Sequence, residues 1–333
     1  MLDMRRRAPW ILTALVAVVT ALAVAGCGGS SSGGGGGKDK VSATQGRNLT
    51  IAMVTHGDAG SFWSVVKKGA LQAGKDMGVK VDYTESNNDP QKQAQMIDAA
   101  VTQKVDGIAV SAPNPSAIKG ALAKAKAAGI PIITLNSGSD VYQQLGAITH
   151  VGQDETIAGR AAGARIKAEG AKKVLCIIHE QGNIGLQQRC DGAKQGFGGT
   201  LDTLQVKGTN DLSTTQTEIK SKLQADKSYD YVLALNPDIA TTAATAIKAA
   251  SSSAKLATFD LSGDVVKAID AGTIQFAVDQ QQYLQGYLPI VFLTLYKTNA
   301  NTVGGGQPVL TGPGFVDKTN ASKVQQLASQ GTR

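Results

Sequence analysis

His56, Asp58, Phe62 and Trp63 lie together in the stretch THGDAGSFW. An imidazole and a carboxylate this close can work as an acid–base pair, and two adjacent rings can form a platform for a flat ligand. Only 5% of the chain is aromatic, so neighbouring rings beside a polar loop stand out; packing of both against adjacent loops is the other reading. His179-Glu180 is a second acid–base candidate. Neither pair has a Ser, Cys or His partner at nucleophile spacing. No G-x-S-x-G elbow follows a strand, and there is no G-x-G-x-x-G turn or P-loop. Cys176 and Cys190 would need two further ligands to hold zinc, and only His179 stands near them in sequence. The residue types favour binding over catalysis, and no cofactor or metal is expected.

The elements that position these groups alternate regularly. Residues 49–55 are an apolar, β-branched run of strand length, 56–60 a polar loop, and Ser61 a candidate N-cap. Phe62, Val65, Val66, Gly69, Ala70, Ala73 and Met77 recur at helical spacing, and Gly78 can end the helix in a left-handed conformation. One of the two rings can face the core; the other is expected to point out of the helix start. Strand, loop and helix open a βαβ unit, and in such sheets ligands bind beyond the carboxyl ends of strands. His56, Asp58, Phe62 and Trp63 would lie there.

Further strands are predicted at 79–84, 107–111, 130–135 and 147–151, with helices at 90–104 (Asp89 as N-cap, Pro90 in the first turn) and 116–128. The pattern then restarts. Helices are predicted at 155–167, 184–197, 214–225, 239–250, 264–271 and 283–296, and strands at 173–178, 204–207, 231–235, 256–259 and 275–278. Mostly apolar strands alternating with helices imply parallel sheets covered on both faces. Segments 106–136 and 229–260 share one plan: an apolar strand, an Asn-Pro pair, an alanine-rich helix, and an apolar strand ending in Asn136 or Asp260. The expected fold class is α/β, with two similar doubly wound αβα lobes. If the lobes face each other, Asn136 and Asp260 line one cleft.

Residues 1–26 are set apart as a leader. Arg5, Arg6 and Arg7 are followed by an uncharged run over 10–25, shorter than the ~18–20 residues of a spanning helix. The run ends in Val24-Ala25-Gly26-Cys27, which resembles the bacterial lipobox and implies lipid modification of Cys27. Residues 27–46 are Gly/Ser-rich without apolar periodicity, and are expected to act as a tether reaching roughly 25 Å. The folded part is then expected on the outer face of the cytoplasmic membrane. Without residues 1–26 the net charge of +7 falls to +5, scattered singly along the helices with no basic run and so no nucleic-acid footprint. A chain of 333 residues that is 42% hydrophobic can bury a large core and prefers two domains. Outside the membrane, Cys176 in a buried strand and Cys190 in the next helix are expected to bridge.

In order and spacing, several segments resemble the periplasmic sugar-binding proteins of the ribose-binding type, the substrate-binding components of bacterial ABC importers. They are the first strand with its SFW loop, SNNDPQKQAQMIDAAVTQKVDGIAVS, AAGIPIITLN, HVGQDETIAGRAAG, the Arg189-x-x-Gly192 pattern, YVLALNPDIATTA, LATFD and IQFAVDQ. The similarity runs from about residue 49 to about residue 320. It implies the type 1 periplasmic-binding-protein fold, two lobes joined by a three-strand hinge and closing on a small polar ligand. The N-terminal lobe would be 47–152 with 282–311, and the C-terminal lobe 153–281 with 312–333.

Position by position, Phe62 and Trp63 resemble the family's stacking aromatics. Ser111 stands where Asn is frequent, and Asn136 where the family has Asp. Arg189, Asn236 and Asp260 resemble the second-lobe polar set, and Gln280 the hinge glutamine. A sugar offers C–H faces to rings and hydroxyls to Asp, Asn and Arg. Taken singly, Arg189 reads as a helix-surface ion pair and Asn236 as a turn residue before Pro237; their joint placement favours the cleft. Ribose binders carry Asp-Arg where this chain has Asn136-Ser137, with His56 and Asp58 as candidate compensations. The implied ligand is therefore another pentose, a hexose, a sugar alcohol or a related polyol. The implied partners are ABC permease and ATPase subunits, and the implied state a monomer. A membrane-tethered sensor that presents its ligand to a receptor is the alternative. A lactose-repressor-type regulator shares the lobe pair, but has a DNA-binding domain where this chain has leader and tether.

Overall fold

The computed structural model describes residues 48–57 and 60–333. The leader, the tether with Cys27, and Asp58 lie outside the described residues. Strands and helices alternate as β1 (Thr50–Thr55), α1 (Ser61–Met77), β2 (Lys80–Glu85), α2 (Pro90–Thr102), β3 (Gly107–Ser111), α3 (Pro115–Ala127), β4 (Ile132–Asn136) and β5 (His150–Gly152). The next run is α4 (Glu155–Ala168), β6 (Lys173–Ile178), α5 (Ile184–Phe197), β7 (Thr200–Gln205), α6 (Leu212–Ala225), β8 (Tyr231–Ala234), α7 (Pro237–Ala249), β9 (Lys255–Phe259), α8 (Gly263–Asp270) and β10 (Phe276–Asp279). The chain finishes with α9 (Gln282–Asn299), β11 (Val309–Leu310), β12 (Gly314–Asp317) and α10 (Ala321–Ser329).

Among the described residues two six-stranded sheets result, ordered β11-β5-β4-β3-β1-β2 and β12-β10-β9-β8-β6-β7. The orders match strand for strand, as the internal repeat requires. All pairs are parallel except β10 with β12, an antiparallel edge that departs from the expected all-parallel sheets. The chain crosses between sheets three times: from β5 to α4, from β10 to α9 and from β11 to β12.

Side chains alternate across each strand, so both faces of both sheets need cover. On β6, Leu175 and Ile177 enter one core with Val232 and Ile239, while Val174, Cys176 and Ile178 enter another with Leu186 and Phe259. The first sheet has two equivalent cores, one of which holds Phe62 and Trp63 with Ile51 and Met53. Helix starts are fixed by side-chain caps from Asp89, Asn114, Asp154, Asn183, Asp211, Asn236 and Ser262.

Three expectations need correction. Ser61 is not the cap of α1: Gly60 occupies that position, and the Ser61 backbone N–H donates to Asp238 Oδ2 at 3.1 Å. The strand expected at 204–207 is β7, shifted to Thr200–Gln205; it is an edge strand in which only Leu201 is buried, so it lacks an apolar signature. β11, β12 and α10 were not anticipated, because short, half-exposed segments have little apolar pattern.

Two helix pairs meet backbone to backbone. In α4 against α5, a Cβ on Gly159, Gly163, Gly192 or Gly196 would overlap the carbonyl oxygen of Arg189, Ala193, Thr156 or Arg160 respectively. In α1 against α9, a Cβ on Gly69 or Gly286 would overlap that of Tyr283 or Val66.

Candidate ligand-binding cleft

The cleft lies where the sheet geometry directs it. His56 follows β1, Ser111 ends β3 and Asn136 ends β4; His179 and Glu180 follow β6, Asn236 follows β8 and Asp260 follows β9. The two sheets therefore present their carboxyl ends to each other. His56, Phe62, Trp63, Asn136 and Ser137 from one side, and His179, Glu180, Asn183, Arg189, Asn236 and Asp260 from the other, line one cavity. Asn136 and Asp260, the matched positions of the repeat, both sit at positive φ, 61° and 70°. Asn and Asp tolerate this left-handed conformation better than other non-glycine residues, which accounts for their types at both strand ends.

On the first side, the Ser111 hydroxyl accepts from the His56 backbone N–H at 2.9 Å and lies 2.7 Å from His56 Nδ1. Ser111 is fully buried and supports His56 rather than lining the cavity. Trp63 meets His56 edge-on at 4.7 Å and Phe62 edge-on at 5.1 Å. Both rings are 3% exposed, so the expectation that one points outward fails. Both rings belong to the core with Ile51 and Met53 and both border the cavity, so a ring leaving the start of α1 enters the cavity instead of solvent. Asn136 Oδ1 accepts from Ser137 Oγ at 3.1 Å, and its Nδ2 lies 3.4 Å from Gln285 Oε1.

On the second side, Arg189 is 4% exposed, and each of its three guanidinium nitrogens has a partner. Its Nε and Nη2 donate to the Glu155 carboxylate at 2.6 and 2.9 Å, and Nη1 donates to the Leu235 carbonyl at 3.2 Å. Asp260 Oδ2 stands 3.7 Å from Nη1, and the guanidinium lies 4.7 Å from the Phe259 ring centroid. Gln280 stands behind the cavity: its Nε2 donates to Asp260 Oδ1 at 2.6 Å, and its Oε1 accepts from Gln285 Nε2 at 2.7 Å. Asn236 Oδ1 caps α7 by accepting from the Asp238 and Ile239 N–H groups, while the residue also borders the cavity.

Contacts across the cleft hold the two sides together. Glu180 Oε2 lies 3.4 Å from His56 Nε2, and the Ile184 N–H donates to the Pro113 carbonyl at 3.1 Å. Burial alone would push Glu180 up; the His56 ring, aided by His179 and Asn183, outweighs it and holds the carboxyl at about 2. Asp260 goes the other way. Burial, reinforced by the Glu155 and Asp279 carboxylates, outweighs Arg189 and Gln280 and pushes it up to about 7.

Cys176 and Cys190 are joined, with Sγ atoms 2.05 Å and Cα atoms 5.9 Å apart. Glu155, Asn183 and Gln285 were missed in sequence. Glu155 looks like an ordinary first-turn acid and Asn183 like a cap; only the fold brings them to Arg189 and Glu180.

The model of the periplasmic binding protein domain matches residues 51–299. The ribose import binding protein RbsB of Haemophilus influenzae is 26% identical over 255 residues, covering 75% of this chain and 86% of that protein. The fructose import binding protein FruE of Bifidobacterium longum is 26% identical over 280 residues, covering 80% and 83%. A carbohydrate transporter from Acidothermus cellulolyticus 11B, solved in complex with myo-inositol, superposes with a TM-score of 0.84 at 46% identity, covering 86% of this chain and 99% of that one. With two matched sheets, three crossings and a polar cleft at the facing strand ends, the chain belongs to the periplasmic binding protein family, the non-enzymatic substrate-binding proteins of sugar ABC importers.

Proposed function

We propose that this chain captures a small cyclic polyol or sugar, of the size of myo-inositol, and delivers it to an ABC permease with its ATPase. The observation that carries the reading is the pairing of chemistries across the cleft: the Phe62 and Trp63 rings on one side, and Arg189 with Asp260 on the other. Rings suit C–H faces, and the charged pair suits hydroxyls that donate and accept at once. The relative solved with myo-inositol supports a cyclic polyol. So does Asn136-Ser137 in place of the ribose binders' Asp-Arg.

The mechanism is closure of two lobes, 47–152 with 282–311 and 153–281 with 312–333, over the ligand. Each sheet drawing its strands from one of these sets supports the division. Cys27 would carry the lipid and residues 27–46 would tether a monomer to the membrane; loss of radiolabelled palmitate from a Cys27→Ser variant tests the anchor. Thermal shift of the purified protein with myo-inositol, D-ribose, D-fructose and D-glucose tests the ligand class. A true ligand at 100 times its Kd adds roughly 2.7 kcal/mol of stability. No shift with any cyclic polyol or sugar would refute the reading.

A further inference from the structure

Among the described residues lining the cavity, Arg189 is the only Arg or Lys. A guanidinium in a buried cleft is a natural partner for a carboxylate or phosphate, because its fork matches two oxygens at once. Here its Nε–Nη2 side is already filled, and the charge is balanced by Glu155. Nε and Nη2 are paired with Glu155, and Nη1 with the Leu235 carbonyl beside Asp260. Glu155 is 1% exposed and cannot swing away freely, since its Oε2 also accepts from Gln153 Nε2 at 2.9 Å.

We propose that Glu155 restricts the cleft to uncharged ligands, by occupying the guanidinium that would otherwise hold an acid or a phosphate. The inference rests on reading the cleft as a sugar site, and it narrows the ligand class. The other charges agree. Glu180 stays ionised, and His56 and His179 face that carboxylate, so positive charge on either ring is turned toward it. The starts of α5 and α7 open on the cavity with partial positive charge, but the Asn183 and Asn236 side-chain oxygens already accept from their N–H groups. An entering anion would meet the Glu180 carboxylate without finding an unpaired cation. A hydroxyl can accept from the N–H groups of Arg189 that remain and donate to Asp260.

Calorimetry on the full chain tests this with myo-inositol, D-glucose and D-ribose against D-glucuronate and inorganic phosphate. The wild type should bind its best neutral ligand at least about 100-fold more tightly than D-glucuronate, and phosphate should not bind. Glu155→Gln should narrow that ratio by at least about tenfold and let phosphate raise its melting temperature. Adding Arg189→Gln should abolish the gain. Glu155→Asp, which draws the carboxylate back by one carbon, is the milder variant and should show the same change in smaller measure. Wild-type affinity for D-glucuronate within about threefold of the best neutral ligand would overturn the proposal, as would anion binding unchanged in both Glu155 variants. If no neutral ligand binds the wild type, the sugar reading falls, and the phosphate comparison between wild type and variants alone decides the role of Glu155.

Discussion

Replacing both cysteines, as Cys176→Ala with Cys190→Ala, removes a cross-link between β6 and the second turn of α5. The two residues are 14 apart in sequence, closing a loop of about 15 residues, for which the chain-entropy model gives roughly 3 kcal/mol. Both side chains are buried, so the lost sulfurs also leave small voids that act in the same direction. At about 1.5–2 °C per kcal/mol for a folded part of this size, from roughly 2.1 cal/mol/K of unfolding entropy per residue, the melting temperature should fall by about 5 °C. Ligand affinity should change less. Arg189, next to Cys190, keeps its orientation through Glu155, so a loss below about tenfold is expected. Calorimetric melting of both proteins with and without reductant is the assay: reductant should destabilise the wild type and leave the double variant unmoved. Equal melting temperatures, or recovery of both cysteines as free thiols after alkylation of denatured native protein, would refute the reasoning.

Trp63→Ala should weaken ligand binding by roughly one to several kcal/mol, the scale of an aromatic anchor, and should also lower stability because the ring belongs to the core. Normal binding in a protein that merely melts earlier would remove the ring from the site. Asp260, raised mainly by burial from 3.8 to about 7, binds a proton in the folded state that the unfolded chain lacks; its contribution is full below 3.8 and is lost as pH rises through 7. The melting temperature of Asp260→Asn relative to wild type should accordingly rise between about pH 5 and 8, and a pH-independent difference would contradict this. Small-angle scattering should give a smaller radius of gyration with saturating ligand, and an unchanged radius would count against closure.

Much of the architecture was legible because parallel strands buried on both faces must be apolar. β3, β4 and β8 are read directly from GIAVS, IITLN and YVLA. Asp89 before Pro90 announced one helix start, whereas Asn114 and Asn236, read as Asn-Pro pairs, cap helices that begin at Pro115 and Pro237 instead of the expected 116 and 239. Asn136 and Asp260 could be paired from sequence because the repeat puts them at equivalent strand ends. What escaped had no local signature. β7 and β11 are edge strands whose exposed faces dilute the pattern. Glu155 and Gln285 act through partners 34 and 149 residues away, and nothing about an acid in a first turn or a glutamine on a helix reveals that. The direction of Phe62 and Trp63 was misjudged because the cavity they border is completed by residues far along the chain, from His179 to Asp260.

The glycine contacts have a mechanical consequence. α4 emerges from the first crossing and is fused to α5, which bears Arg189; α9 emerges from the second and is fused to α1, which bears Phe62 and Trp63. Helices separated by large side chains can slip through rotamer changes, whereas helices touching along their backbones cannot. A small rotation at residues 153–154 or 280–281 is thus delivered undiminished to the groups facing the ligand, as through a stiff lever. A methyl group at Gly163 or Gly286 would part those backbones, displacing Arg189 relative to Glu155 or the Phe62–Trp63 pair and loosening its connection to the pivot.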